Sequence, residues 1–98
     1  MREDFVDDYK WFLETLGEKS QRIMCVEEMA ELTKALCKFE RVQTIEARDE
    51  VLSSIKEEIA DVLNMVEQLE YIYGCDEIEK IRKMKILRTK ERFEKSGN

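Results

Sequence analysis

The sequence predicts an all-α protein, a four-helix chain that completes its bundle by homo-oligomerisation. Three observations carry this. There is no proline, and the three glycines (Gly17, Gly74 and Gly97) each stand where a helix can end. Apolar residues recur at helical spacing through most of the chain, and no stretch alternates as a strand would. The apolar arcs are also wider than one thin layer of four helices can cover, which points to a dimer or a dimer of dimers.

The elements follow from the same spacing. A first helix is predicted over residues 3–16, with Phe5, Tyr9, Phe12, Leu13 and Leu16 on its apolar side and Gly17 as its stop. The second is predicted over residues 19–42. Its apolar arc has two flanks: Ile23, Val26, Ala30, Thr33 and Cys37 on one, Met29, Leu32, Leu36 and Phe39 on the other. A helix apolar on two flanks is enclosed by neighbours on two sides. Residues 41–50 form a polar connection, with a further helical turn or two possible over 45–52. Ser54-x-x-Glu57 reads as a capping box, so the third helix starts there or runs through from Ile45, and it ends at Gly74. Asp76-x-x-Glu79 resembles a second capping box, opening a fourth helix over 77–95. That helix carries Ile78, Ile81, Met84, Ile86, Leu87 and Phe93 among many bases.

Composition narrows the function classes. With 98 residues the chain is a single domain over 1–98, too short for two cores. The net charge is −6 with acids interleaved among bases, which argues against a nucleic-acid-coating surface and suits a metal or a metal-chelated anion. No apolar run approaches the ~20 residues of a membrane span, and MREDFVDDYK lacks a signal-peptide pattern. A cytoplasmic protein with no membrane partner is expected. The absence of histidine removes Ser-His-Asp and Cys-His catalysis and the Glu-x-x-His ligands of di-iron bundles. Cys25 and Cys37, about 18 Å apart along one helix by its rise, cannot bridge, so buried reduced thiols are expected.

The stretch from Ile55 to Leu69 holds the feature that points to chemistry. Ile55, Val62, Met65, Val66 and Leu69 share one side of a helix, and Glu58 lies in the middle of that stripe with Asp61 at its edge. A carboxylate on a core-facing stripe takes up a proton or finds a cation. The second helix offers a matching pair, Glu28 and Glu31, with Glu27 beside them and Glu28 in line with Leu32, Ala35 and Phe39. Taken singly, each pair reads as an ordinary solvated face. Packed antiparallel, the two helices would bring four carboxylates together. With only oxygen ligands, the counter-ion should be hard: Mg²⁺, or Mn²⁺ as its substitute.

Glu27-Glu28-Met29-Ala30-Glu31 followed by Glu58-Ile59-Ala60-Asp61 matches an EExxE…ExxD pattern. In it the chain resembles the MazG-like nucleotide pyrophosphohydrolases of the all-α NTP pyrophosphatase superfamily, over roughly residues 21–92. The resemblance implies Mg²⁺-dependent hydrolysis of nucleoside triphosphates between the α and β phosphates, giving monophosphate and pyrophosphate. It makes Glu28, Glu31, Glu58 and Asp61 the metal ligands. Glu27 matches the motif's first Glu, as an outer-sphere ligand or an orienter of water, and either Glu31 or Glu27 would take the water's proton. Lys34 and Lys38 continue the Glu31 side of the second helix, while Lys85, Arg88 and Arg92 line the fourth, where the family carries phosphate-binding bases. Tyr9, Trp11 and Phe12, and Met29, Met65 and Met84, are expected in the core rather than against a base. Asn64 serves either a base or sugar or the helix surface. Two alternatives stand beside this: a non-catalytic helical interaction module, and phosphoribosyl-ATP hydrolysis on the same scaffold.

Overall fold

A computed structural model describes residues 3–97. A 3-10 turn, Glu3–Phe5, leads into α1 (Val6–Leu16), followed by α2 (Glu18–Phe39), α3 (Ile45–Tyr73) and α4 (Cys75–Ser96), with no strand among the described residues. The all-α expectation holds.

The centre of the fold is the hairpin of α2 and α3. Along α2, the residues withdrawn from solvent are Gln21, Cys25, Glu28, Leu32, Ala35 and Phe39, in alternating steps of four and three. Along α3, Val51, Ile55, Glu58, Val62, Met65, Leu69 and Ile72 repeat the same steps. A spacing that averages three and a half residues keeps one seam facing its partner along the whole length of a helix pair. Arg48 closes the loop end of the hairpin, its guanidinium 5.5 Å from the centre of the Phe39 ring. α1 packs on both helices at the other end. There Tyr9 is buried and its hydroxyl donates to Glu67.

Two tight reversals set the directions. Gly17 and Gly74 have φ of +89° and +107°, which side chains with a Cβ rarely adopt. Each joins two helices with no further connecting residue.

The helix boundaries decide between the two starts expected for the third helix and correct two further expectations. α3 begins at Ile45, where the Thr44 hydroxyl accepts from the Ala47 N–H at 3.1 Å. Ser54 therefore lies inside α3 rather than capping it, because the seam runs unbroken through Val51 and Ile55 with no residue to interrupt it. α4 begins at Cys75 behind Gly74, with no side-chain cap. Asp76 and Glu77 instead sit in its first turn, where their charge favours the positive end of the helix. α2 stops at Phe39, short of the predicted Val42.

Burial is thinner than the sequence suggests. Cys25 and Met65 are buried as expected, but Met29, Met84 and Cys37 are exposed. So are Ile23, Val26 and Leu36 on the outer flanks of α2, because a hairpin partner covers one side of a helix only. α4 buries no residue and packs on α3 alone. The accessible surface is 8040 Å², against about 5,900 Å² for a folded monomer of 11.7 kDa. The radius of gyration is 17.0 Å, against ~13 Å for a compact chain of this length. No described helix is long and apolar enough to cross a membrane.

A Cβ on Gly74 would meet nothing within 4 Å, so Gly74→Ala should cost backbone strain alone, about 1 kcal/mol. The urea midpoint should fall with an unchanged slope. An unaltered midpoint would show that the positive φ at this turn is not required.

Candidate functional site

The seam carries its acidic residues into contact. Glu28 sits three residues after Cys25, and Glu58 three after Ile55, so both occupy seam positions that apolar residues hold elsewhere. Oxygen atoms of Glu28, Glu58 and Asp61 lie within 4.8 Å of one another. Glu28 and Glu58 are half-buried and Asp61 is exposed. Partial loss of water raises the pKa of Glu28, and the charges of Asp61 and Glu58 add to it. A hydrogen bond with Asp61 and the charge of Glu31 push in the same direction.

Three of the four predicted carboxylates thus converge. Glu31 stays outside the triad, exposed, one turn further along α2. Glu27 is exposed and about 100° around the helix from Glu28. The triad offers three anionic oxygens from two rigid helices and no nitrogen or sulfur, a donor set suited to one hard divalent cation.

Two hollows share this acidic wall. The first, about 380 Å³, lies toward the loop end of the hairpin and is lined by Glu31, Lys34, Lys38, Glu50, Ser54 and Glu58, with small apolar residues between them. Its two lysines follow Glu31 by three and seven residues along α2. The second, about 460 Å³, lies under α1 and reaches Glu28 and Asp61. Phe5, Tyr9, Phe12 and Met65 give it an apolar lining, with Asp8, Gln21, Asn64 and Gln68 as further polar members.

The bases of α4 are elsewhere. Lys85, Arg88 and Arg92 are exposed, and Lys85 and Arg88 line a separate hollow on α4 itself with Ile81, Met84 and Leu87. None of the three lines either hollow beside the carboxylates, and α4 packs on α3 alone. Of the aromatics, Tyr9 is buried and Phe12 half-buried as expected. Trp11 is 58% exposed and stands edge-on to Phe12 at 5.4 Å.

Sequence reasoning missed Gln21 and Gln68. They are buried and joined by a 3.0 Å hydrogen bond between side chains. A signal existed: Gln21 lies four residues before Cys25, a polar residue on the seam in the way Glu58 is. Glu50 and Ser54 were missed as well, since one fell in a predicted connection and the other in a predicted cap.

The raised pKa of Glu28 has a thermodynamic sign. Between the ordinary carboxylate value of ~4.3 and the raised one, the folded chain binds a proton that the unfolded chain has released. The resulting stability is full below the ordinary value and is lost as pH rises through the raised one. With EDTA present, Glu28→Gln should therefore raise the melting temperature at pH 8 and change it little at pH 4.5. The same change at both pH values would show that Glu28 does not feel its neighbours' charge.

No protein family, curated protein or solved structure matches this chain in sequence or fold comparison.

Proposed function

We propose that the chain is a MazG-like nucleotide pyrophosphohydrolase. It hydrolyses nucleoside or deoxynucleoside triphosphates at the α–β phosphoanhydride bond to monophosphate and pyrophosphate, in nucleotide pool control or house-cleaning. The observation that supports this is the meeting of Glu28 with Glu58 and Asp61 across the α2/α3 seam, since these residues belong to the EExxE…ExxD pattern. The three carboxylates fit Mg²⁺, or Mn²⁺ in its place, and Glu28, Glu58 and Asp61 would hold it with Glu31 joining from α2. Bound there, the cation supplies charge neutralisation and Lewis acidity to the phosphates.

The chain's own residues then divide the work. Glu31 lines the polar hollow beside Glu58 and is one of two carboxylates that would take the proton of the attacking water. Glu27, one residue before Glu28, is the other motif carboxylate for that role. Lys34 and Lys38 line the same hollow and offset phosphate charge that the cation leaves uncovered. The water oxygen forms a bond to the α phosphorus as the bridging P–O bond breaks, and pyrophosphate leaves with that electron pair.

The working form is a homo-oligomer, a dimer or a dimer of dimers. Each chain exposes about 2,000 Å² more than a folded monomer of its mass should. Surface of that order is buried by obligate oligomers. The outer flanks of α2 and the apolar side of α4 are the surfaces left uncovered. Lys85, Arg88 and Arg92 would reach a carboxylate triad only from a second copy. The free thiols Cys25, Cys37 and Cys75 suit a reducing cytoplasm.

The same exposed apolar flanks favour a second reading, a non-catalytic module that docks on another protein. Titration with Mg²⁺ or Mn²⁺ separates the two, because a module without a site gives no saturable heat. Release of pyrophosphate should be measured across common and modified nucleoside triphosphates, with phosphoribosyl-ATP included as the test of the alternative substrate.

Two outcomes are expected. Glu58→Gln and Asp61→Asn should each lower turnover by about 10³-fold, several kcal/mol of transition-state stabilisation, with helicity by circular dichroism unchanged. Wild-type turnover in either variant would place the chemistry elsewhere. Sedimentation equilibrium should find at least two chains per particle, and a soluble monomer at micromolar concentration would overturn the oligomer.

A further inference from the structure

We propose that the hollow under α1 is a base-reading subsite, in which the Gln21 side-chain oxygen accepts a hydrogen bond from an N–H of the nucleobase. The proposal rests on the nucleotide reading of the carboxylate site and specifies what lies beside it.

The first observation is the character of the hollow. Phe5, Tyr9, Phe12 and Met65 line it, and the Tyr9 hydroxyl is engaged by Glu67. At about 460 Å³ it falls within the ~300–1,000 Å³ of small-ligand pockets. An apolar, aromatic lining with a few polar groups suits a planar heteroaromatic ring.

The second observation is an orphaned acceptor. Gln68 Nε2 donates to the Asn64 carbonyl at 3.4 Å and faces Met65 Sδ at 3.8 Å. Its Oε1 is therefore turned toward Gln21, whose Nε2 donates to it at 3.0 Å. This chain of donors sets the orientation of both amides and leaves Gln21 Oε1, on a residue that lines the hollow, as the acceptor without a donor. Gln21 is 2% exposed, and this oxygen has no hydrogen-bond partner among the described residues. A buried acceptor without a partner is destabilising and uncommon in folded proteins. A ligand that brings an N–H relieves it.

The third observation is register. Gln21 precedes Glu28 by seven residues on α2, and Gln68 follows Asp61 by seven on the antiparallel α3. Both amides thus stand two turns, about 10 Å, from the carboxylates along the seam. A ribose and a base span a comparable distance. With the phosphates at the triad, the base edge falls at the amide pair.

A site built around an unpaired acceptor rejects a ligand that lacks the donor. Selectivity should lie in the base's hydrogen-bonding edge, in an exocyclic amine or a ring N–H.

The test is equilibrium binding of nucleoside 5′-monophosphates in Mg²⁺, each beside an analogue lacking the donor. The pairs are AMP and purine riboside monophosphate, CMP and the pyrimidin-2-one riboside monophosphate, UMP and its 3-methyl derivative, and GMP with its 1-methyl derivative for the ring N–H and with IMP for the 2-amine. At least one pair should differ by about tenfold or more. Gln21→Met should bring that ratio to near one. Because this variant strands Gln68, the double variant Gln21→Met, Gln68→Met is measured beside it. In the wild type, the side-chain amide resonances of Gln21 and Gln68 should move on binding the favoured monophosphate and stay in place with its analogue. No discrimination in any pair overturns the proposal, as does discrimination that survives in both variants. Discriminating binding without pyrophosphate release from triphosphates would support the subsite while removing the hydrolase reading. Release at one rate from every base, unchanged by Gln21→Met, would do the reverse.

Discussion

Among the described residues, the α2/α3 seam is where a continuous stripe is withdrawn from water along the length of two helices, and that stripe contains carboxylates. Leu32, Phe39, Val51, Val62, Met65 and Leu69 bring the helices together by burial, each contributing up to about 1.5–3 kcal/mol when fully covered. Glu28 and Glu58 stand in the same register and work against it. Their charges are drawn toward each other and toward Asp61 by the packing that stabilises the pair. The rise in the Glu28 pKa is the measure of that conflict. A structure that tolerates it keeps an anionic site on its most rigid elements, where ligand positions are set by helix packing rather than by a loop.

The seam also orders what surrounds it. Moving along it from the carboxylates in one direction leads to Glu31, Lys34 and Lys38, a polar and partly basic hollow. Moving in the other leads to Gln21 and Gln68 beneath α1, an apolar hollow closed by an amide pair. The two environments differ because α1 covers one end of the hairpin only, packing on both helices there and supplying Phe5, Tyr9 and Phe12. One acidic wall thus separates a hollow of mixed charge, with three glutamates and two lysines, from an aromatic one.

The remaining surface is thinly covered. α1 and the hairpin leave the outer flanks of α2 bare, and α4 extends with Ile81, Met84, Ile86, Leu87 and Phe93 exposed. Apolar area on this scale is unusual for a small monomer. The helix-forming tendency of α4 is helped by local pairs such as Arg82 with Glu79 at 2.7 Å, and such exposed pairs contribute little by themselves. A long helix with no buried residue is normally held by packing against a partner.

The sequence by itself determined the helices, the stripe of Ile55, Glu58, Val62, Met65 and Leu69, and the matching carboxylate Glu28 that an antiparallel partner would bring to it. These follow from spacing along one chain, and helical geometry converts spacing into direction without any further information. It also marked Gly17 and Gly74 as stops, since no other residue type takes positive φ so freely. Only the tertiary structure decided which of the wide arcs would be covered. Leu32 is shielded while Leu36 and Val26 are not, because burial depends on where the neighbour lies and one helix offers several acceptable sides. The direction of α4 was likewise invisible, and with it the separation of Lys85, Arg88 and Arg92 from the acids. A reversal through one glycine places the following helix by its φ and ψ, and residue type alone specifies neither. Gln21 and Gln68 escaped notice for a related reason. An isolated glutamine reads as surface until its partner, 47 residues away in sequence, is seen to bury it.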